Sequence, residues 1–308
     1  MKHYNQLLVV IEPKRERQVA LQRAMEIARY NPKTTITVLR LVYDFSYDLH
    51  ILNKLREKAT REDVLRTHEE ALQKLIEENR GDSEAVIVPK VKFTRDIAEG
   101  VLEELGSGSY DMVIKASNRH KILDALVFTP IDWYLLRNAD VPVIIAKDHS
   151  WQDGGTILIA LDFTSKAQKA TNIRLLREAQ ILAAITKAEI HLVNSAPVVL
   201  PTVMLEVPHY APELYADSIL TEHKKRLKDF ASIHRIPQEN CHLAEGMPDT
   251  VIPEICRKIK PFAVFIGSAG RSGMMAAVRG NTCEEIVDYI DADLVVLNHR
   301  TIRAGAEV

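Results

Sequence analysis

Cysteine is scarce in this chain of 308 residues, and its three copies indicate neither a disulfide framework nor a zinc site. Cys241, Cys256 and Cys283 are an odd number, and no two of them are closely spaced. The eleven histidines are scattered, without a His-x3-His spacing. We therefore expect a reducing compartment, the cytoplasm, and no metal site.

Long apolar runs and an excess of charge of one sign are also missing. No run approaches the roughly 18 residues that span a bilayer, and the first four residues lead into a strand-like segment rather than a signal-peptide core. The formal net charge of −2 gives no electrostatic reason to expect binding to a phosphate backbone. We therefore expect neither a membrane nor a nucleic acid as a partner.

Ten short runs rich in Val, Ile and Leu recur along the chain, separated by polar or glycine-containing segments. Strands that are apolar on both faces are typical of a parallel sheet covered by helices. The runs are Leu7–Ile11, Thr35–Val42, Ala85–Val91, Met112–Lys115, Val141–Ala146, Thr156–Leu161, Glu189–Asn194, Cys241–Ala244, Ala263–Ile266 and Leu294–Leu297.

Helical patterns lie between these runs, and strand then helix in alternation predicts βαβ units with right-handed crossovers. We therefore predict an α/β fold in which each half forms a mostly parallel, five-stranded, Rossmann-like sheet with helices on both faces. Apolar residues at helical spacing are Leu21, Ala24, Met25 and Ala28 in one half and Leu175, Ala179 and Leu182 in the other.

The two halves share landmarks at a nearly constant separation of 150 to 152 residues. Such a constant offset predicts an internal duplication, with domains at residues 1–148 and 154–300. The turn-forming residues 148–155 interrupt the periodicity between them. The paired landmarks are Glu12 and Asp162, Ile114 and Ile266, and Thr129 and Asn281.

A glycine-rich segment follows the fourth run of the second half. Gly267, Gly270 and Gly280 let the backbone approach a ligand closely, and successive N–H groups in such turns form anion sites. A helix predicted to begin near Asn281 adds its free N–H groups and the positive end of its dipole. Asp162 ends the first strand of this half, at the sheet edge where ligands of such folds bind.

Asp162 together with Gly267-x2-Gly270-x9-Gly280 resembles the nucleotide-binding pattern of the universal stress proteins. The resemblance covers both halves, and it implies a tandem pair of adenine nucleotide alpha hydrolase-like domains, a stress-linked regulatory role, and ATP or a related adenine nucleotide as ligand. Magnesium would enter only with the nucleotide. Asn281 stands where the family has Ser or Thr. The implied contact residues are Leu161, Asp162, Ile266, Gly267, Ser268, Gly270, Arg271, Gly280, Asn281 and Thr282.

The first half lacks glycine at the corresponding places. An offset of 152 residues puts Lys115, Asn118 and Phe128 opposite the three glycines, and Glu12 is longer than the family's Asp. We therefore predict that the first half does not bind nucleotide in the family's manner. Its segment 128–133, Phe-Thr-Pro-Ile-Asp-Trp, resembles tandem members of the family.

Structural roles remain open for several of these residues, with Asp162 as a turn cap and Thr282 as a helix cap paired with Glu285. No general base stands out near the loop, so we expect a non-enzyme with at most slow ATP hydrolysis. Two other functions also remain open. One is a nucleotide-free interaction or scaffold protein with an unidentified protein partner, and the other is a carrier of an apolar small molecule that uses Val198–Val207. Family precedent also allows a homodimer.

Overall fold

The structure is a computed structural model, and the chain divides into two compact units at the junction of Ser150 and Trp151. The described residues are 4–12, 16–42, 54–117, 130–165, 168–198, 212–268, 286, 289–298 and 300–301.

Strands and helices alternate along each unit, as the apolar runs predict. The elements of the first unit are β1 (Gln6–Val10), α1 (Val19–Ala28), β2 (Thr35–Val42), α2 (Lys54–Arg80), β3 (Val86–Phe93), α3 (Ile97–Ser107), β4 (Met112–Ala116), α4 (Pro130–Asn138) and β5 (Val143–Ala146). Those of the second are β6 (Thr156–Ala160), α5 (Gln168–Thr186), β7 (Glu189–Ala196), α6 (Pro212–His234), β8 (Cys241–Glu245), α7 (Pro248–Ile259), β9 (Ala263–Gly267) and β10 (Asp293–Leu297).

Each unit contains a five-stranded sheet in which the neighbouring strands run parallel. The strand order is β3-β2-β1-β4-β5 in the first unit and β8-β7-β6-β9-β10 in the second. In both sheets the first strand of the unit lies at the centre, between the second and the fourth. The predicted tandem α/β fold is confirmed.

The central strands are buried on both faces, which explains their uniformly apolar sequences. Leu7, Leu8 and Val9 are consecutive and fully buried, and so are the residues of Ile157–Ile159. Because consecutive residues of a strand point to opposite faces of the sheet, both faces must be covered. Among the described residues, no helix combines the length and the apolarity that crossing a bilayer requires.

The strand pairing corrects the residue offset between the two units. Ala116 is the partner of Ala146 in the first sheet, and Gly267 is the partner of Leu297 in the second. The next residue in each case, Ser117 or Ser268, donates its N–H to the same partner's carbonyl. Ala116 therefore corresponds to Gly267, and the predicted match of Lys115 with Gly267 is wrong by one residue.

Connections of unequal length between strands are the cause of this error. Leu7 in β1 corresponds to Ile157 in β6, 150 residues later in the sequence. Leu7 pairs with Ile36 and Ile157 pairs with Ile190, but Ile190 comes 154 residues after Ile36. The connection after the first strand is thus four residues longer in the second unit. A single offset cannot hold across such an insertion.

Candidate functional site

The candidate site lies at the carboxyl ends of β6 and β9 in the second unit. β6 pairs with β7 on one side and with β9 on the other, so the chain order reverses between β6 and β9. Such a switch point is where open parallel sheets bind ligands. Asp162 follows β6, Gly267 ends β9, and Ser268 comes next.

Asp162 is held from both its backbone and its side chain. The Asn172 side chain at the start of α5 accepts from the Asp162 N–H at 3.1 Å and donates to the Asp162 carbonyl at 2.9 Å. The Oδ1 atom of Asp162 accepts from the N–H and the hydroxyl of Thr164, at 2.8 and 2.6 Å. This Asx turn gives Asp162 the turn-capping role considered from the sequence.

A buried relay holds the residue before Asp162. The Leu161 carbonyl accepts from Nδ2 of Asn194 on β7 at 2.8 Å, and Oδ1 of Asn194 lies 2.7 Å from Nδ1 of His223 on α6. Leu161, Asn194 and His223 are all buried. Sequence reasoning missed Asn194 and His223, although an amide within an apolar strand is a signal that a buried partner exists.

Gly267 is required by helix packing. A β-carbon at this position would lie 2.7 Å from Cγ2 of Thr171, a buried residue of α5. The glycine therefore lets α5 approach β9, a role that needs no ligand. Its neighbours Ile266 and Ser268 are buried, and the Ser268 N–H donates to the Leu297 carbonyl at 2.9 Å.

Gly267→Ala is expected to lower the free energy of unfolding of the second unit by about 2 kcal/mol, the usual cost of overpacking a tight core. Thr171→Ser removes the clashing methyl group while keeping the hydroxyl. The double variant should therefore recover most of the loss in a urea-unfolding double-mutant cycle. Additive losses from the two changes would show that the contact with Thr171 is not what excludes the β-carbon.

The remaining predicted contact residues cannot be placed. Gly270, Arg271, Gly280, Asn281 and Thr282 lie outside the described residues. The structure thus brings together Leu161, Asp162, Ile266, Gly267 and Ser268 at the ends of two adjacent strands, and the phosphate-binding part of the prediction stays a prediction.

The first unit carries a buried ion cluster at the carboxyl ends of its equivalent strands. Nζ of Lys115, in β4, lies 2.7 Å from Oδ1 of Asp132 on α4 and 3.4 Å from Oε1 of Glu12, which follows β1. The side chains of Lys115 and Asp132 are only 5% and 1% exposed. Lys115 also donates to the Ala116 carbonyl at 3.3 Å.

The backbone clasp on Asp162 recurs at Glu12. Nε2 of Gln18 donates to the Glu12 carbonyl at 3.1 Å, and its Oε1 accepts from the Glu12 N–H at 3.4 Å. Both units therefore fix the turn after their first strand with one carboxamide from the following helix start. In the part of the chain that the structure describes, no group of three or more His, Cys, Asp or Glu side chains is placed to hold a metal ion.

A family model described as the universal stress protein family matches residues 3–147 and 155–298. Universal stress protein E of Escherichia coli strain K12 is 34% identical over 307 residues, which cover 96% of this chain and 95% of that protein. The protein of the same name from Photorhabdus laumondii is 31% identical over 301 residues and covers 96% of both chains.

Two solved structures share the fold over nearly the whole length. A protein of unknown function from Pseudomonas aeruginosa, PA1789, superposes with a TM-score of 0.70 at 25% identity. The superposition covers 99% of this chain and 96% of the PA1789 chain. A universal stress protein from Archaeoglobus fulgidus gives a TM-score of 0.62 at 17% identity, with 96% and 97% covered, and supports the fold alone. The chain therefore belongs to the universal stress protein family, with one family domain in each half.

Proposed function

We propose that this protein is a stress-response regulator that binds an adenine nucleotide, ATP or a close relative, in its second unit and does not catalyse efficiently. The observation that carries the proposal is the position of Asp162 and Gly267 at the ends of two adjacent strands, where the strand order reverses. The glycines at 270 and 280 follow Gly267 in the sequence at the family's spacing.

The chemistry of these strand ends suits a nucleoside. The Asp162 carboxylate binds Thr164 through Oδ1, and a carboxylate with two oxygens has further acceptor positions for a ribose hydroxyl or an adenine amino group. The following loop would supply the phosphate contacts through backbone N–H groups. Magnesium would arrive with the phosphates.

The first unit has charged side chains of its own at the equivalent strand ends. Lys115, Glu12 and Asp132 form an ion cluster there, so charged side chains of the protein pair with one another beside the strand ends. This supports assigning the nucleotide to the second unit. The regulatory role would then divide between a ligand-binding half and a ligand-free half.

The absence of efficient catalysis is part of the proposal because the polar side chains described near the strand ends already have structural partners. Asp162 caps its turn and Nδ1 of His223 binds Asn194. No described hydrogen bond joins Asp162 to His223, so these two side chains do not form one relay of orienting group, general base and nucleophile. Turnover of ATP at the rates usual for kinases would contradict this part of the proposal.

Calorimetric titration with ATP tests the ligand and its location. The wild type is expected to release binding heat and, at a hundredfold excess over Kd, to gain about 2.7 kcal/mol in free energy of unfolding. Gly270→Val is expected to weaken binding by at least about tenfold, since a branched side chain would block the approach of a phosphate.

Gly106→Val is the matched control, because Gly106 in α3 has open space around its β-carbon position. Equal heats for Gly270→Val and the wild type would place the ligand elsewhere. A wild type without binding heat would reject the nucleotide and favour the nucleotide-free interaction protein. An apolar ligand found by mass spectrometry of gently purified protein would favour the carrier instead; most of Val198–Val207 lies outside the described residues.

A further inference from the structure

The peptide unit between Leu161 and Asp162 is held at both of its polar ends. Its carbonyl oxygen accepts from Nδ2 of Asn194, and its N–H donates to Oδ1 of Asn172. A peptide unit with both polar atoms bound to side chains cannot rotate about its flanking bonds without losing a hydrogen bond. The backbone entering Asp162 is therefore fixed by two different elements, β7 and α5.

The hydrogen-bond pattern determines which nitrogen of His223 carries a proton. Because Nδ2 of Asn194 donates to the Leu161 carbonyl, the amide oxygen faces Nδ1 of His223 at 2.7 Å. An oxygen acceptor needs a donor opposite, so Nδ1 is protonated. The reversed amide would place its oxygen against the Leu161 carbonyl oxygen, which is repulsive. The Leu161 carbonyl thus sets the orientation of the Asn194 amide, and the Nδ1–H of His223 holds its oxygen end in place.

The imidazole performs this role in its neutral form at neutral pH. Burial lowers the pKa of His223, and Arg226 on the same helix lowers it further, whereas Asp162 and Glu222 act in the opposite direction.

Among the described residues of the first unit, no counterpart of this relay is found. Arg40 follows Leu39 in β2 as Asn194 follows Val193 in β7, and the two preceding residues have equivalent partners in the sheets. A guanidinium only donates hydrogen bonds, so Arg40 cannot accept one from a histidine. On α2 the first unit has its own histidine, His68, whose pKa is lowered by burial and then by the Arg40 guanidinium. In the part of the chain that the structure describes, the relay thus occurs in the unit with the candidate site.

We propose that His223 is a positioning residue for nucleotide binding: through Asn194 and the Leu161 carbonyl, it holds Asp162 in the orientation that receives the adenosine part of the ligand. This inference rests on the proposed function. His223 need not contact the ligand, and its effect on affinity comes from ordering the backbone at Asp162 before the ligand arrives.

Calorimetric titration of two His223 variants with ATP tests the inference. His223→Leu removes the donor and is expected to weaken ATP binding roughly fivefold, the value of one hydrogen bond. His223→Asn places an amide nitrogen where Nδ1 lies and should restore the Kd to within about twofold of the wild type. His68→Leu is the matched control in the first unit and should leave the Kd unchanged.

Each outcome is decisive. A His223→Leu variant that binds ATP as tightly as the wild type overturns the inference, and so does a His223→Asn variant as weak as His223→Leu. If His223→Leu does not fold, His223→Gln replaces it, since its amide reaches the Nε2 rather than the Nδ1 position and should also weaken binding. A wild type that binds no adenine nucleotide overturns the proposed function and this inference together. If the wild type binds ATP and the His223 variants bind it equally well, only the inference is rejected.

Discussion

Replacing Lys115 with Met is expected to lower the free energy of unfolding of the first unit by about 3–5 kcal/mol, the usual cost of removing one partner from a buried ion pair. Met matches the length of the lysine stem but has no charge. Asp132, whose side chain is 1% exposed, would then lose the ammonium that lies 2.7 Å from its Oδ1 atom. The cost arises mainly from removing the positive charge beside this buried carboxylate.

The two tryptophans allow each unit to be followed separately. Trp133 lies on α4 of the first unit and Trp151 in the second. Urea unfolding in a Trp151→Phe background, followed by fluorescence, therefore reports on the first unit alone. This design avoids fitting one transition to a protein with two units.

A second substitution, at Asp132, tests whether the loss comes from this ion pair. Lys115→Met combined with Asp132→Asn makes both positions neutral. The double variant should therefore recover a large part of the lost free energy of unfolding. Lys74→Met is the control, because Lys74 is 79% exposed and its pair with Glu78 is a surface contact worth little. A Lys115→Met variant within about 1 kcal/mol of the wild type would show that the cluster does not stabilise the unit.

Glu104→Gln is expected to destabilise the first unit by about 3 kcal/mol, the lower end of the range for a broken buried pair. Glu104 is buried on α3, where its Oε1 atom lies 2.7 Å from both Nζ of Lys90 and the hydroxyl of Tyr110. Its Oε2 atom lies 3.1 Å from Nζ of Lys92. The lysines are partly exposed, so they remain solvated after the change, which keeps the loss at the low end.

The effect of Glu104→Gln should depend on pH. Burial alone would raise the pKa of Glu104, but hydrogen bonds from Lys90, Tyr110 and Lys92 outweigh it and lower the pKa. A carboxyl group with a lowered pKa stabilises the folded state above the pKa of the unfolded chain, and this contribution disappears as the pH falls through the folded-state pKa. The difference between wild type and variant should therefore be full at neutral pH, above the unfolded-chain pKa, and should shrink as the pH falls through the folded-state pKa.

Urea unfolding of the first unit across this pH range measures the effect, with Glu103→Gln as the exposed control on the same helix. A difference that stays constant from neutral to acid pH would mean that the charge of Glu104 is not its source. The same contact affects the phenol, since burial and the hydrogen bond to Glu104 raise the pKa of Tyr110 to about 12.

The strands and their order in sequence could be predicted because the central strands are apolar on both faces. All ten apolar runs coincide with strands, with ends displaced by at most two residues. The error in matching Lys115 to Gly267 came from the connections, whose lengths differ between the units. Lengths of loops are not constrained by burial, so periodicity carries no information on them.

The candidate site can be predicted from the sequence only as far as local sequence determines it. Asp162 and Gly267 stand out in the sequence because each follows or ends an apolar run and Gly267 begins a spaced set of glycines. Asn194 and His223 lie 33 and 62 residues after Leu161, whose peptide group they help to hold. These separations are longer than any local sequence pattern. The partners of Lys115 likewise come from separate elements, and only the folded chain brings Glu12 and Asp132 to the same lysine.

The carboxamide clasp after the first strand of each unit has a consequence for how such domains diverge. Gln18, the longer amide, serves the shorter connection, and Asn172 serves the longer one. Insertions at this corner are therefore tolerated as long as one amide from the next helix can reach back to the same peptide group. The strand end can keep its geometry while the ligand bound beside it changes or is lost.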